Sequence, residues 1–189
     1  MSGRERHLVL GGARSGKTRH ALGLAEAASR ARSASVTYVA TAEPGDAEMA
    51  ERISRHRSER PSSWRTIEAP HSLAQALGTV APGSIIVIDC LTLWLSNALL
   101  LDFDEQRPRE PLPGWAAEGE ALVRYLQESA GAIIMVSNEV GSGIVPVSAL
   151  ARRFQDEQGR LNQLLAALCE RVTLVVAGIG ISIKSEATT

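Results

Sequence analysis

His7-Leu8-Val9-Leu10-Gly11-Gly12-Ala13-Arg14-Ser15-Gly16-Lys17-Thr18 reads as a short buried strand, a glycine-rich turn and a helix start. Gly11, Gly16, Lys17 and Thr18 fit G-x-x-x-x-G-K-[ST], the phosphate-binding loop pattern. Glycines let the backbone curl with its N–H groups inward, and the helix N-terminus adds a positive dipole to that nest. The pattern assigns Gly11, Gly12, Ala13, Arg14, Ser15, Gly16, Lys17 and Thr18 to a triphosphate, with Lys17 on the terminal phosphates and the Thr18 hydroxyl on Mg²⁺. Of the 20 lysines and arginines only Lys17 and Lys184 are lysines, so a chain that otherwise uses arginine places a lysine at this position.

Outward from that loop, the chain alternates strands with helices. Lys17 to about Arg32 reads as a helix, and Val36–Ala40 as a β-branched and aromatic strand. Thr41–Gly45 is then a turn, and Asp46 is a plausible N-cap for a helix to about Arg57, which Pro61 stops. Trp64–Glu68 reads as a short extended piece and Ser72–Leu77 as a short helix. Ile85–Asp89 is apolar on both faces, as buried parallel strands are, and Asp89 after four apolar residues is the Walker B pattern of a Mg²⁺-binding acid. Without the loop upstream, an N-cap role for Asp89 would be an equal reading. Leu91–Leu101 is a mostly apolar helix, and Asp102–Gly114, with three prolines, is a loop. Trp115–Ser129 is helical, Ala132–Ser137 a strand, Val147–Arg171 largely helical, Val172–Val176 a strand and Ile181–Lys184 an edge strand. This order predicts a single α/β domain over residues 1–189: a P-loop fold with a mainly parallel central sheet flanked by helices.

With 189 residues, 44% of them hydrophobic, the chain can bury a substantial core. A net charge of −1 leaves no global basic field, so neither nucleic acid nor an anionic membrane is an expected partner. Cys90 and Cys169 lie far apart with no C-x-x-C, which argues against a zinc knuckle or disulfide scaffold and for a reducing, cytoplasmic setting. The polar Met1–Arg6 does not read as a signal peptide, and the longest apolar run, Ile85–Leu101, is too polar for a membrane span.

A second candidate centre is the helix around His56, where Arg52, Arg55, Arg57 and Arg60 stand close by. A neutral ring nitrogen beside arginines that hold a triphosphate is a good nucleophile for phosphorus. The competing reading is a solvated helix face, because Glu48/Arg52 and Glu51/Arg55 are i,i+4 pairs. Residue types alone leave both open. Asn138 and Glu139 follow the fourth strand at the edge where ligands sit in open α/β sheets, although a plain loop fits equally well. His20, one turn after Lys17, either lines the site or caps a polar face.

Several strings together resemble the adenosylcobinamide kinase / adenosylcobinamide-phosphate guanylyltransferase family of cobalamin biosynthesis. They are Gly11 to His20, Tyr38-Val39-Ala40-Thr41-Ala42, Glu48-Met49 with Arg52-Ile53 and His56-Arg57, Arg60-Pro61, Trp64-Arg65-Thr66 and Asp89-Cys90-Leu91-Thr92. Asn138 to Pro146 and Gly159-Arg160-Leu161-Asn162-Gln163 complete the set, which covers nearly the whole chain in order. The resemblance implies two reactions. A nucleoside triphosphate, ATP or GTP, phosphorylates the aminopropanol hydroxyl of adenosylcobinamide; the phosphate then accepts GMP from GTP through a GMP–histidine intermediate, releasing pyrophosphate. It implies a RecA-like fold and a homotrimer.

By position in the family pattern, His56 is the nucleophile and Lys17 its catalytic partner on the phosphates. The same matching gives Ala40, Thr41, Ala42, Arg57, Ser58, Glu59, Arg60, Glu68 and Asp89 as nucleotide contacts. Thr18 and Asp89 are the metal-binding pair. Glu68 could accept from guanine N1–H and N2–H, selecting G over A. Arg55 stands where some members carry a second histidine, and Asp89 where some carry Glu. No residue stands out as general base for the kinase step; Glu139 is the candidate. The alternatives are a single-function P-loop kinase of a small alcohol and a non-catalytic nucleotide switch.

Overall fold

The computed structural model of the protein describes residues 4–45, 47–58 and 60–185, without the side chain of Arg52. Asp46, the expected N-cap, and Glu59, an expected nucleotide contact, lie outside the described residues.

The elements are β1 (Glu5–Gly11), α1 (Lys17–Arg32), β2 (Val36–Ala40), α2 (Ala47–Ser58), β3 (Arg65–Glu68), α3 (Leu73–Leu77), β4 (Ile85–Asp89), α4 (Leu91–Asp102), α5 (Pro113–Glu128), β5 (Ala132–Asn138), α6 (Ala149–Leu168), β6 (Arg171–Val176) and β7 (Ile179–Lys184). They form one seven-stranded sheet in the order β3-β2-β4-β5-β1-β6-β7. Every pairing is parallel except that of β6 with β7.

Strand residues alternate between two cores, which explains their continuous apolar runs. Leu8, Leu10, Ile86, Ile88, Ile133 and Met135 face α3 to α6. Val9, Tyr38, Ile85, Val87, Ile134 and Val136 face α1, which supplies Ala21, Leu22 and Ala25. Trp94 and Trp115 meet edge to face in the first core, with centroids 4.8 Å apart.

Boundaries differ from expectation where capping decides them. α6 starts after Ser148, whose Oγ accepts from Ala151 N at 3.4 Å, and stops before Cys169, which is extended; Arg171 therefore opens β6 instead of closing the helix. α5 begins at Pro113, a proline at the first helical turn, so the loop before it is shorter than expected. Trp64 sits in a turn, its N–H on Pro61 O at 3.0 Å, and β3 begins one residue later. Among the described residues no helix is long and apolar enough to cross a membrane.

Candidate active site

The parallel sheet puts the C-terminal ends of β1, β2, β4 and β5 on one rim, and the site is built there. Gly11 closes β1 in a space too tight for a side chain, since a Cβ would stand 2.6 Å from Val175 O. The loop then turns, with Ser15 N–H on Gly12 O at 3.3 Å, and Gly16 enters α1 at φ 92, a conformation natural to glycine. Lys17 is 7% exposed and donates from Nζ to Gly12 O at 3.1 Å, so its charge is held within the curl of the loop.

The turn between β6 and β7 braces this loop. Gly178 N–H donates to Ser15 O at 2.8 Å, and a Cβ on Gly16 would lie 3.1 Å from Gly178 Cα. The sequence places strands on either side of Ala177-Gly178, but only the fold brings their turn onto the loop. His20 packs on the same hairpin, with its Cε1 2.6 Å from the position of a Cβ on Gly180.

Helix α2 roofs the loop. Arg14, Ser15, Gly16, Lys17, Thr18 and Arg19 below, with Glu48, Glu51, Arg55 and His56 above and Gly178 at one side, enclose a cavity of about 550 Å³. A second space of about 130 Å³ adjoins it, bounded by Ala40, Ala42, Arg57, Arg60, Glu68, Asp89 and Asn138 with Tyr38, Met49, Ile53, Thr66 and Thr92. Lys17, Thr18 and His56 line both. His56 therefore stands where the P-loop cavity meets a compartment with a carboxylate at Glu68 and apolar walls. Glu48, Glu51 and Arg55, which spacing alone left as possible solvated pairs, line the P-loop cavity.

Tyr38 ties the two halves of the second space together. Its hydroxyl donates to Asp89 Oδ2 at 2.5 Å, and the Arg60 guanidinium lies 3.4 Å from its ring centroid. Burial, then the Asp89 charge, pushes the Tyr38 phenol far above its ordinary range, so it remains a donor.

Other expected contacts lie elsewhere. Thr41 is fully buried beneath the rim, where its Oγ1 donates to Cys90 O at 2.6 Å and accepts from Cys90 N at 2.9 Å. Ser58 Oγ donates to Arg55 O at 2.8 Å on exposed helix. Gly11, Gly12 and Ala13 shape the loop without lining either space. Glu139 is exposed, with its Oε1 accepting from Gly141 N at 2.6 Å, so its carboxylate serves its own turn.

A hydroxyl at Thr18 and a carboxylate at Asp89 bordering one space form a hard-oxygen donor set of the type Mg²⁺ takes alongside phosphates. Among the described residues no group of three or more His, Cys, Asp or Glu is placed to hold a metal alone.

Residues 7–183 match the model of the family described as cobinamide kinase / cobinamide phosphate guanyltransferase. The chain belongs to this family. Relatives agree along nearly their full length. A bifunctional adenosylcobalamin biosynthesis protein of Pseudomonas aeruginosa is 50% identical over 96% of this chain and 98% of its own. Proteins of that same description from Escherichia coli and Salmonella typhimurium are each 41% identical, over 94% of this chain and 98% of theirs. Among solved structures, an ATPase domain superposes with a TM-score of 0.52 at 13% identity, covering 92% of this chain and 70% of that one. That likeness concerns the fold: an α/β P-loop architecture with helices on both faces of the sheet. Within the family, the P-loop and the α2 roof form one continuous site in this chain.

Proposed function

We propose that this chain, as one P-loop domain, phosphorylates the aminopropanol hydroxyl of adenosylcobinamide with ATP or GTP. It then transfers GMP from GTP to the resulting phosphate through a GMP–histidine intermediate on His56. The observation that carries the reading is the position of His56 at the junction of the two spaces. A GTP laid with its triphosphate against Lys17 and its base toward Glu68 brings the α-phosphorus to that junction. Family membership and relatives described as bifunctional support the pair of reactions.

In this reading a ring nitrogen of His56 attacks the α-phosphorus in line. The N–P bond forms as the bond to the bridging oxygen breaks, and pyrophosphate leaves into the P-loop. Lys17, Arg14, Arg19 and Arg55 border that pocket and offset the charge of the leaving group. An oxygen of the corrinoid phosphate then attacks phosphorus, and the pair of electrons of the N–P bond returns to the imidazole. Thr18 and Asp89 would hold Mg²⁺, which neutralises phosphate charge and orients the triphosphate. Arg57 and Arg60, from the end of α2 and just beyond, face the nucleotide. Two further parts of the reading are a homotrimer, for which the exposed Ile144, Val145 and Val147 offer apolar contact area, and a cytoplasmic location.

Incubation with GTP and Mg²⁺ should add one acid-labile GMP to the intact chain, absent in His56→Ala. An unlabelled protein, or full guanylyl transfer by His56→Ala, would rule out the covalent route.

A further inference from the structure

β5 runs between β1 and β4, so its last residue emerges between the P-loop and the strand end that carries Asp89. That residue is Asn138, in register with Gly11. Its backbone is fixed on both sides: the N–H donates to Thr92 Oγ1 at 2.7 Å, and the carbonyl accepts from Asn162 Nδ2 at 2.9 Å. Asn162 is itself held, its Oδ1 accepting from Ser137 Oγ at 2.7 Å and Gln158 Nε2 at 3.1 Å. Burying this polar cluster carries a desolvation cost, and what the cluster fixes is the position of Asn138.

The Asn138 side chain does not serve that cluster. Its Oδ1 is buried without a hydrogen-bond partner among the described residues, and the residue borders the space shared with Lys17, Thr18, His56 and Asp89. A buried acceptor of this kind calls for a donor from a ligand. Ionised phosphate oxygens only accept. The donor that must reach the P-loop in the proposed kinase step is the hydroxyl that attacks the γ-phosphorus.

Resting on that reading, we propose that Asn138 Oδ1 accepts the hydrogen of the corrinoid aminopropanol hydroxyl and aims its oxygen at the γ-phosphorus. An oxygen lone pair forms the new O–P bond. The bond from the γ-phosphorus to the bridging oxygen breaks, its electron pair leaving with the nucleoside diphosphate. The hydroxyl proton passes to an oxygen of the transferred phosphoryl group, since an amide orients a proton without taking it. Asn138 thus serves one of the two reactions: loading of His56 from GTP involves no such hydroxyl.

The test uses the full chain with Asn138→Ala and Asn138→Ser, each assayed for GMP loading from GTP alone and for phosphorylation of adenosylcobinamide. Asn138→Ala should lower the kinase kcat by about tenfold to a hundredfold while loading rate and GTP half-saturation stay within about twofold. Asn138→Ser, which restores an acceptor, should fall between. The thermal midpoint should hold, because the cluster bonds only the Asn138 backbone. Equal losses in both assays, as a ribose or general triphosphate contact would give, overturn the assignment, and so does an unchanged kinase rate. If the unsubstituted chain loads GMP yet forms no phosphorylated corrinoid, the kinase reading itself fails and takes the assignment with it.

Discussion

The two rims of the sheet treat buried polar groups in opposite ways. Near the start of β1, Arg6 is fully buried, and its guanidinium donates to the carbonyls of Leu126, Ser129 and Gly131 around the end of α5. Beside it His7 Nε2 meets Thr173 Oγ1 at 2.8 Å. At the opposite rim Ser15 Oγ, Arg60 Nε and Asn138 Oδ1 are buried without partners among the described residues, and each of these residues borders a cavity. An unpaired buried polar atom costs about 1–3 kcal/mol. Around the open rim these atoms have space in front of them for a ligand's polar group, whereas Arg6 and His7 spend theirs on carbonyls and a hydroxyl of the fold. One rim stabilises the fold, and the other holds interactions in reserve for substrate.

The sharpest way to break this division is to damage the closed rim. Arg6→Met should destabilise the protein by about 3–5 kcal/mol, since it removes the charged donors that the carbonyls of Leu126, Ser129 and Gly131 share and leaves the buried Leu126 carbonyl unpaired. Urea unfolding measures the loss. GMP loading per folded molecule should stay unchanged at low temperature. A variant that unfolds normally but fails to load GMP would show that the rims are not separable.

The closed rim was nearly invisible in the sequence, and the open one was visible in part. Gly11 to Thr18 announced itself because a loop that wraps phosphate needs particular residues at fixed spacing. Asp89 was legible only together with that loop, since an acid after a buried strand fits an N-cap equally well; its place beside the second space came from the fold. Arg6 and His7, by contrast, sit in a polar opening stretch whose burial depends on α5 and β6, more than a hundred residues away. The α2 roof was ambiguous for another reason. Its Glu and Arg spacing fits solvent exposure, and only the tertiary placement of the helix over the P-loop turns those residues toward a cavity. Thr41 misled in the other direction, since its neighbours Ala40 and Ala42 line the site while its own hydroxyl is tied to the Cys90 backbone beneath the rim.

Acid should act on the closed rim in a defined window. Burial, then the Arg171 charge, lowers His7 to about 4 from an ordinary 6.5. The unfolded chain then binds a proton between these values that the folded chain does not, so stability is full above about 6.5 and falls as pH drops toward 4. The loss attributable to His7 should reach at most about 3 kcal/mol, and His7→Asn should flatten that part of the stability profile. A profile through this window that is the same with and without His7 would place the acid sensitivity elsewhere.

Tyr38 sits on the boundary of the comparison, and its hydroxyl gives the smallest and most discriminating test. It rises from the buried face of β2, 1% exposed, yet its acceptor Asp89 and its stacked Arg60 both border the second space. Tyr38→Phe removes the bond to Asp89 and keeps the ring under Arg60. If the hydroxyl belongs to the closed class, the variant loses about 1 kcal/mol of stability and its kinetics are untouched. If it holds Asp89 in position for the triphosphate, stability shifts little, and half-saturation by GTP in the loading reaction rises by about threefold to tenfold with an unchanged maximal rate. The second outcome is the expected one, because an Asp89 carboxylate released from Tyr38 has the adjoining space to move into, whereas Arg6 and His7 have none. A stability loss without a kinetic change would move Tyr38 to the stabilising rim and narrow the open class to the atoms that have no protein partner at all.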